Sequence, residues 1–125
     1  MHTSPGGPIS QQCFTRQSAD ETLGPWIDVR GKQDVTFYLT SNGTTSSGVV
    51  SIEESAPEDM SIVPAQPFGA STGNYSVVTT KNASDFTGGA QVAIHLPVSA
   101  YFYVRARIST AIGGGGTVSA GCQAY

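Results

Sequence analysis

The stretch Ala100-Tyr-Phe-Tyr-Val-Arg-Ala-Arg-Ile-Ser109, followed by Gly113-Gly-Gly-Gly116 and Thr117-Val-Ser-Ala-Gly-Cys-Gln123, decides the fold class. Side chains alternate across a strand, so Phe102, Val104, Ala106 and Ile108 share one face while Tyr101, Tyr103, Arg105 and Arg107 share the other. The first face is core. The second is an aromatic and cationic stripe expected to point outward, and Tyr and Arg are the residue types that concentrate in protein interfaces. The glycine run turns the chain back into Val118, Ala120 and Cys122, a second alternating strand, so the segment reads as one long hairpin.

The same period of two recurs upstream. Residues 10–16 form a first, polar strand, and residues 26–30 place Ile27 and Val29 inward with Trp26 capping one end of the core. Val35, Phe37 and Leu39 share a buried face, Asn42-Gly43 signals a turn, and Val50 and Ile52 return inward, which reads as a central hairpin. Residues 75–80 and 91–96 bring the total to about eight strands, with no helix and no internal repeat. The expected architecture is all-β: a single antiparallel β-sandwich or jelly roll over residues 10–125. Pro5, Gly6, Gly7 and Pro8 deny a ladder its N–H groups, so residues 1–9 are expected to form an extended N-terminal arm. Residues 55–74, with Pro57, Pro64, Pro67 and Phe68, are longer than an ordinary connection and read as either a surface excursion with a job or a mobile flap.

Composition agrees. Only 12% of the 125 residues are charged, 15 are Gly and 7 are Pro, while 38% are apolar, including five Phe, five Tyr and one Trp. That is too apolar and too regularly alternating for a disordered chain. A net charge of −3 without a basic block argues against nucleic-acid binding, and no window approaches the ~20 apolar residues of a membrane span. The first residues lack a cationic, apolar leader, so a cytosolic origin is expected. In that compartment Cys13 and Cys122 are read as small buried hydrophobes, with a bridge left open as the lesser alternative.

Chemistry is sparse. His2 lies in the arm, which leaves His95 for any Ser-His-Asp arrangement, and its place on an outward strand face reads as a solvated or interface histidine. Glu53-Glu54 and Glu58-Asp59 fit no spaced calcium loop and read as solvated acids. Gly113–Gly116 is not followed by Lys-Ser/Thr and reads as a hairpin tip, not a phosphate cradle. The sequons at Asn42, Asn74 and Asn82 read as turn-forming Asn beside hydroxyl residues. No cofactor and no metal are expected, and no enzymatic activity.

Gly24-Pro-Trp-Ile-Asp-Val-Arg-Gly31, Val35-Thr-Phe-Tyr-Leu-Thr40 running on to Val50-Ser-Ile-Glu-Glu54, and Leu96-Pro-Val-Ser-Ala-Tyr-Phe-Tyr-Val-Arg-Ala-Arg-Ile108 with its glycine turn together resemble small β-sandwich virion proteins of tailed bacteriophages. The resemblance implies a decoration or cement protein on the capsid surface, assembled in the host cytoplasm, which binds the major capsid protein and self-associates as a dimer or trimer. It carries no active site. On this reading the protein interface would draw on Tyr101, Tyr103, Arg105 and Arg107, on Pro5 and Pro8 of the arm, and on Pro64 and Phe68 of the long loop. The alternative is a tail or fibre module that binds carbohydrate, with Trp26, Tyr38, Tyr75, Tyr101 or Tyr103 stacking on sugar rings.

Overall fold

The structure is a computed structural model that describes residues 8–56, 75–96 and 101–125. Within them lie nine strands: β1 (Ile9–Gln17), β2 (Thr22–Leu23), β3 (Ile27–Asp28), β4 (Val35–Asn42), β5 (Ser47–Ser55), β6 (Ser76–Asn82), β7 (Gln91–His95), β8 (Tyr103–Gly113) and β9 (Thr117–Ala124). One antiparallel sheet runs β1-β9-β4-β7; the second runs β2-β8-β5-β6, with β3 also paired to β8. The chain is an all-β sandwich, as the alternation predicts. Its one helical feature among the described residues is a 3-10 turn, Ala83–Phe86.

The expected core parity holds strand by strand. Phe37, Leu39, Val50, Ile52, Val104, Ala106, Ile108 and Val118 are all fully buried. Burying each of the larger of these side chains stabilises the fold by about 1.5–3 kcal/mol. β1 contributes Cys13 and Phe14 side by side, because register shifts between Gln12 and Phe14 turn two consecutive residues into the core. Ile9 already pairs with Ala124, so the strand begins inside what the sequence reads as arm.

Both expected hairpins are corrected by the topology. β4 pairs with β7 and β9 while β5 pairs with β6 and β8, and β8 and β9 belong to different sheets. The chain therefore arches from one layer to the other after β4 and again after β8. An alternating strand can bury its apolar face across a sandwich as readily as beside its sequence neighbour, and here the two arches pack against one another. Ser46 N–H donates to Gly113 O at 2.9 Å, and a Cβ on Gly116 would lie 2.4 Å from Thr44 O. Only glycine lets the two connections touch. Thr45 fixes the first arch to the 3-10 turn: its hydroxyl donates to Ala83 O at 2.9 Å and its N–H to Thr87 Oγ1 at 2.8 Å.

Candidate functional site: the outer face of the second sheet

Tyr103, Arg105 and Arg107 leave β8 on the face opposite Val104 and Ala106, as the parity requires, yet that face is not open. Arg105 is 1% exposed and Tyr103 5%, while Arg107 and Tyr101 are half-buried. The stripe expected to point outward is thus covered. Tyr101 packs against the hydrophobic core. Pro8 is exposed, and Pro5, Pro64 and Phe68 lie outside the described residues.

What neutralises the arginines is Glu53, which β5 sets directly opposite Arg105. Arg105 Nε donates to Glu53 Oε1 at 2.8 Å and a second nitrogen lies 2.7 Å from the same oxygen; Arg107 Nε donates to Oε2 at 2.6 Å. Glu53 is fully buried, so its reading as a solvated acid is overturned. A carboxylate out of water needs this pair of donors, because an isolated buried charge costs several kcal/mol. Arg107 also donates to Glu21. Glu21 adopts φ 62, a left-handed conformation that its local loop must hold in place, and its N–H donates to Ile108 O at 2.8 Å. Burial works against the Arg107 charge, but the bonds from Glu53 and Glu21 outweigh it and hold the guanidinium above its ordinary pKa.

Two rings close the cluster. The Trp26 ring lies 4.4 Å from the Arg105 guanidinium, and Tyr75 lies 5.1 Å from Arg105 and 5.3 Å from Arg107. Trp26 therefore sits over the outer face of the sheet and does not cap an end of the core. Cation–π contacts of this kind contribute about 0.5–2 kcal/mol, more when dry. At the margin Arg30 pairs with Asp28 at 2.6 Å and lies 5.6 Å from the Tyr103 ring. The Arg30 hydrogen bond holds the Asp28 carboxyl below its usual pKa.

The described histidine and the two thiols are engaged or buried. His95 is exposed on β7, and its Nδ1 lies 2.8 Å from Thr36 Oγ1, which is 3.4 Å from Asp34 Oδ1. In a hydrolytic triad the carboxylate orients the imidazole; here it stands on the hydroxyl side, so the relay is in the wrong order. Cys13 and Cys122 are buried free thiols, each pushed up to about 12 by burial. Such thiols are poor nucleophiles at neutral pH. Among the described residues no cluster of three or more His, Cys, Asp or Glu could hold a metal ion, and no helix is long and apolar enough to cross a membrane.

The first sheet carries the contrasting outer face. Strand pairing aligns Gln12, Gly121, Tyr38 and Ala93 in one row across all four strands, with Ser119, Thr40 and Gln91 in the next. No acid, lysine or arginine stands in either row. Of the aromatic residues named for sugar stacking, Trp26 and Tyr75 are spent on guanidinium groups and Tyr103 is buried, whereas half-exposed Tyr38 stands on this neutral face.

No family model matches the chain, and no curated protein matches it. Among solved structures it is similar over 99% of its length to the SPBc2 prophage-derived protein YomS, covering 97% of that chain with a TM-score of 0.54 and 9% identity. It is similar over the same share to the K2 cleaved adhesin domain of Lys-gingipain (Kgp) of Porphyromonas gingivalis, covering 76% of that chain with a TM-score of 0.55 and 14% identity. At these identities the likeness is one of fold alone.

Proposed function

We propose that this chain is a non-enzymatic structural protein of a bacteriophage particle, seated on the outside of the capsid where it reinforces contacts between major capsid proteins. The observation that carries the reading is the end-to-end match in fold to a prophage-derived protein. The chemistry of the described residues supports it. Arg105 and Arg107 are neutralised internally, the thiols are buried and protonated, and the lone described histidine is held by a threonine hydroxyl, so contact surface is what the described residues have to offer.

The mechanism is additive burial. Each copy spans a seam between capsid subunits, and many interfaces of about 800 Å² per partner together resist internal pressure. Self-association as a dimer or trimer would multiply the contacts by avidity. Residues 1–7 and 57–74, which lie outside the described residues, would extend the footprint, and Pro8 is the one named contact residue that stands exposed among those described.

The experiment is co-sedimentation of the purified protein with isolated phage heads and with isolated tails. Saturable binding to heads at a fixed stoichiometry supports the capsid reading. Binding to tails alone assigns the chain to a tail or fibre module, and binding to neither removes it from the particle.

A further inference from the structure

Tyr38 and Gly121 are a directly paired position on β4 and β9, and the missing side chain at Gly121 leaves a hollow beside the tyrosine ring. The depression holds about 410 Å³ along the β1 side, with a smaller lobe of about 150 Å³ towards Ser119. Both lobes are shallow and open to solvent, a groove in the sheet face and not an enclosed cavity. A Cβ built on Gly121 would meet nothing closer than Gln11 O at 3.6 Å, so packing of the fold does not demand glycine here. The hollow is the feature that the glycine leaves.

Its rim is preorganised. Gln12 Nε2 donates to both Phe14 O and Ala120 O at 3.0 Å, which fixes the amide and uses both its protons. Its Oε1 is left as an acceptor 4.0 Å from the Gly121 Cβ position. Gln91 and Gln123 add amides on either side, and Ser119 a hydroxyl already turned to the Arg16 N–H at 2.9 Å.

We propose that this hollow is a binding site for a neutral hexose-containing glycan. A sugar ring presents one C–H-rich face suited to an aromatic wall, and hydroxyls that match fixed amide donors and acceptors. The absence of acids and bases from the lining selects against sialylated or sulfated chains, whose anionic groups would lose water and gain no cation. The site lies on the sheet opposite the arginine cluster and does not depend on the capsid reading.

The test titrates the full chain with neutral hexose oligosaccharides and with sialylated and sulfated ones, following backbone amide shifts by NMR, in wild type, Tyr38→Ala and Gly121→Val. The expected result is binding of neutral glycans with shifts confined to β1, β4 and β9, weakened roughly tenfold or more in each variant. Both variants should melt within a few degrees of wild type; Tyr38→Ala, at a half-exposed position, keeps the test valid if Gly121→Val alone loses its fold. Three results overturn the proposal: no glycan binding, equal or better binding of the charged series, or unchanged binding in Tyr38→Ala. Loss of head attachment in these variants without any glycan binding would instead make the hollow a protein contact.

Discussion

Glu53 and Arg105 face one another across β5 and β8 with nitrogen to oxygen distances of 2.7–2.8 Å, and neither side chain is more than 2% exposed. A stripe read as outward-pointing would let Arg105→Ala fold normally and fail only in attachment. The structure reverses that expectation. Removing Glu53 strands the buried Arg105 guanidinium, so Glu53→Gln should lose about 3–5 kcal/mol of stability in urea unfolding, and Arg105→Ala should lose less, because Arg107 still donates to Glu53. The double variant Glu53→Leu with Arg105→Met should recover part of the Glu53→Gln loss, since an apolar pair of similar volume needs no desolvation and Arg107 keeps its pairing with Glu21. A single variant as stable as wild type would contradict the burial described above.

The paired arches give a local prediction. Gly116→Ala drives a Cβ to 2.4 Å from Thr44 O, whereas Gly121→Ala meets only ordinary contacts from 3.6 Å outward. The first should be destabilised by about 1–3 kcal/mol, as overpacking generally is, and the second left nearly unchanged. Thermal melts of the two variants side by side decide it, and equal melting temperatures would mean that the arches do not touch.

The thiols set an alkaline limit. Cys13 and Cys122 have folded pKa values near 12 against an ordinary 9.0, so between those values the unfolded chain releases thiol protons that the folded chain retains. Stability is unaffected by the thiols below about pH 9 and falls as pH rises above it, by about 1.4 kcal/mol per pH unit for each thiol. A Cys13→Ala, Cys122→Ala variant should show a shallower decline in urea midpoint from pH 9 to 11. At pH 8 a thiol reagent should label the wild type only after denaturation, and rapid labelling of the native protein would contradict the burial.

His95→Ala tests the absence of catalysis. The variant should fold and should match wild type in every hydrolase assay, because Asp34 approaches Thr36 and not the imidazole. A turnover present in wild type and lost in His95→Ala would overturn the non-enzymatic reading.

The core was legible because alternation is local: Phe37 and Leu39, or Val104 and Ile108, declare their shared face within a few residues. Alternation does not say what lies on the second face. Glu53, Trp26, Tyr75 and Glu21 reach Arg105 and Arg107 from separate parts of the chain, and no spacing within 100–109 announces them. The hairpin reading failed for a related reason. Asn42-Gly43 and Gly113–Gly116 are turn signals that serve a same-sheet reversal and a sheet-crossing arch alike, and the contact between Thr44 and Gly116 is visible only once the two layers are assembled. The hollow at Gly121 was equally hidden, since it exists only once β1, β9 and β4 are brought into register.

The most direct measurement of the central claim is electron cryomicroscopy of particles carrying a labelled copy of this chain. The account predicts label over the head, repeating with the symmetry of the shell and contacting neighbouring capsid subunits. Label restricted to the tail, or particles that carry none, would contradict it.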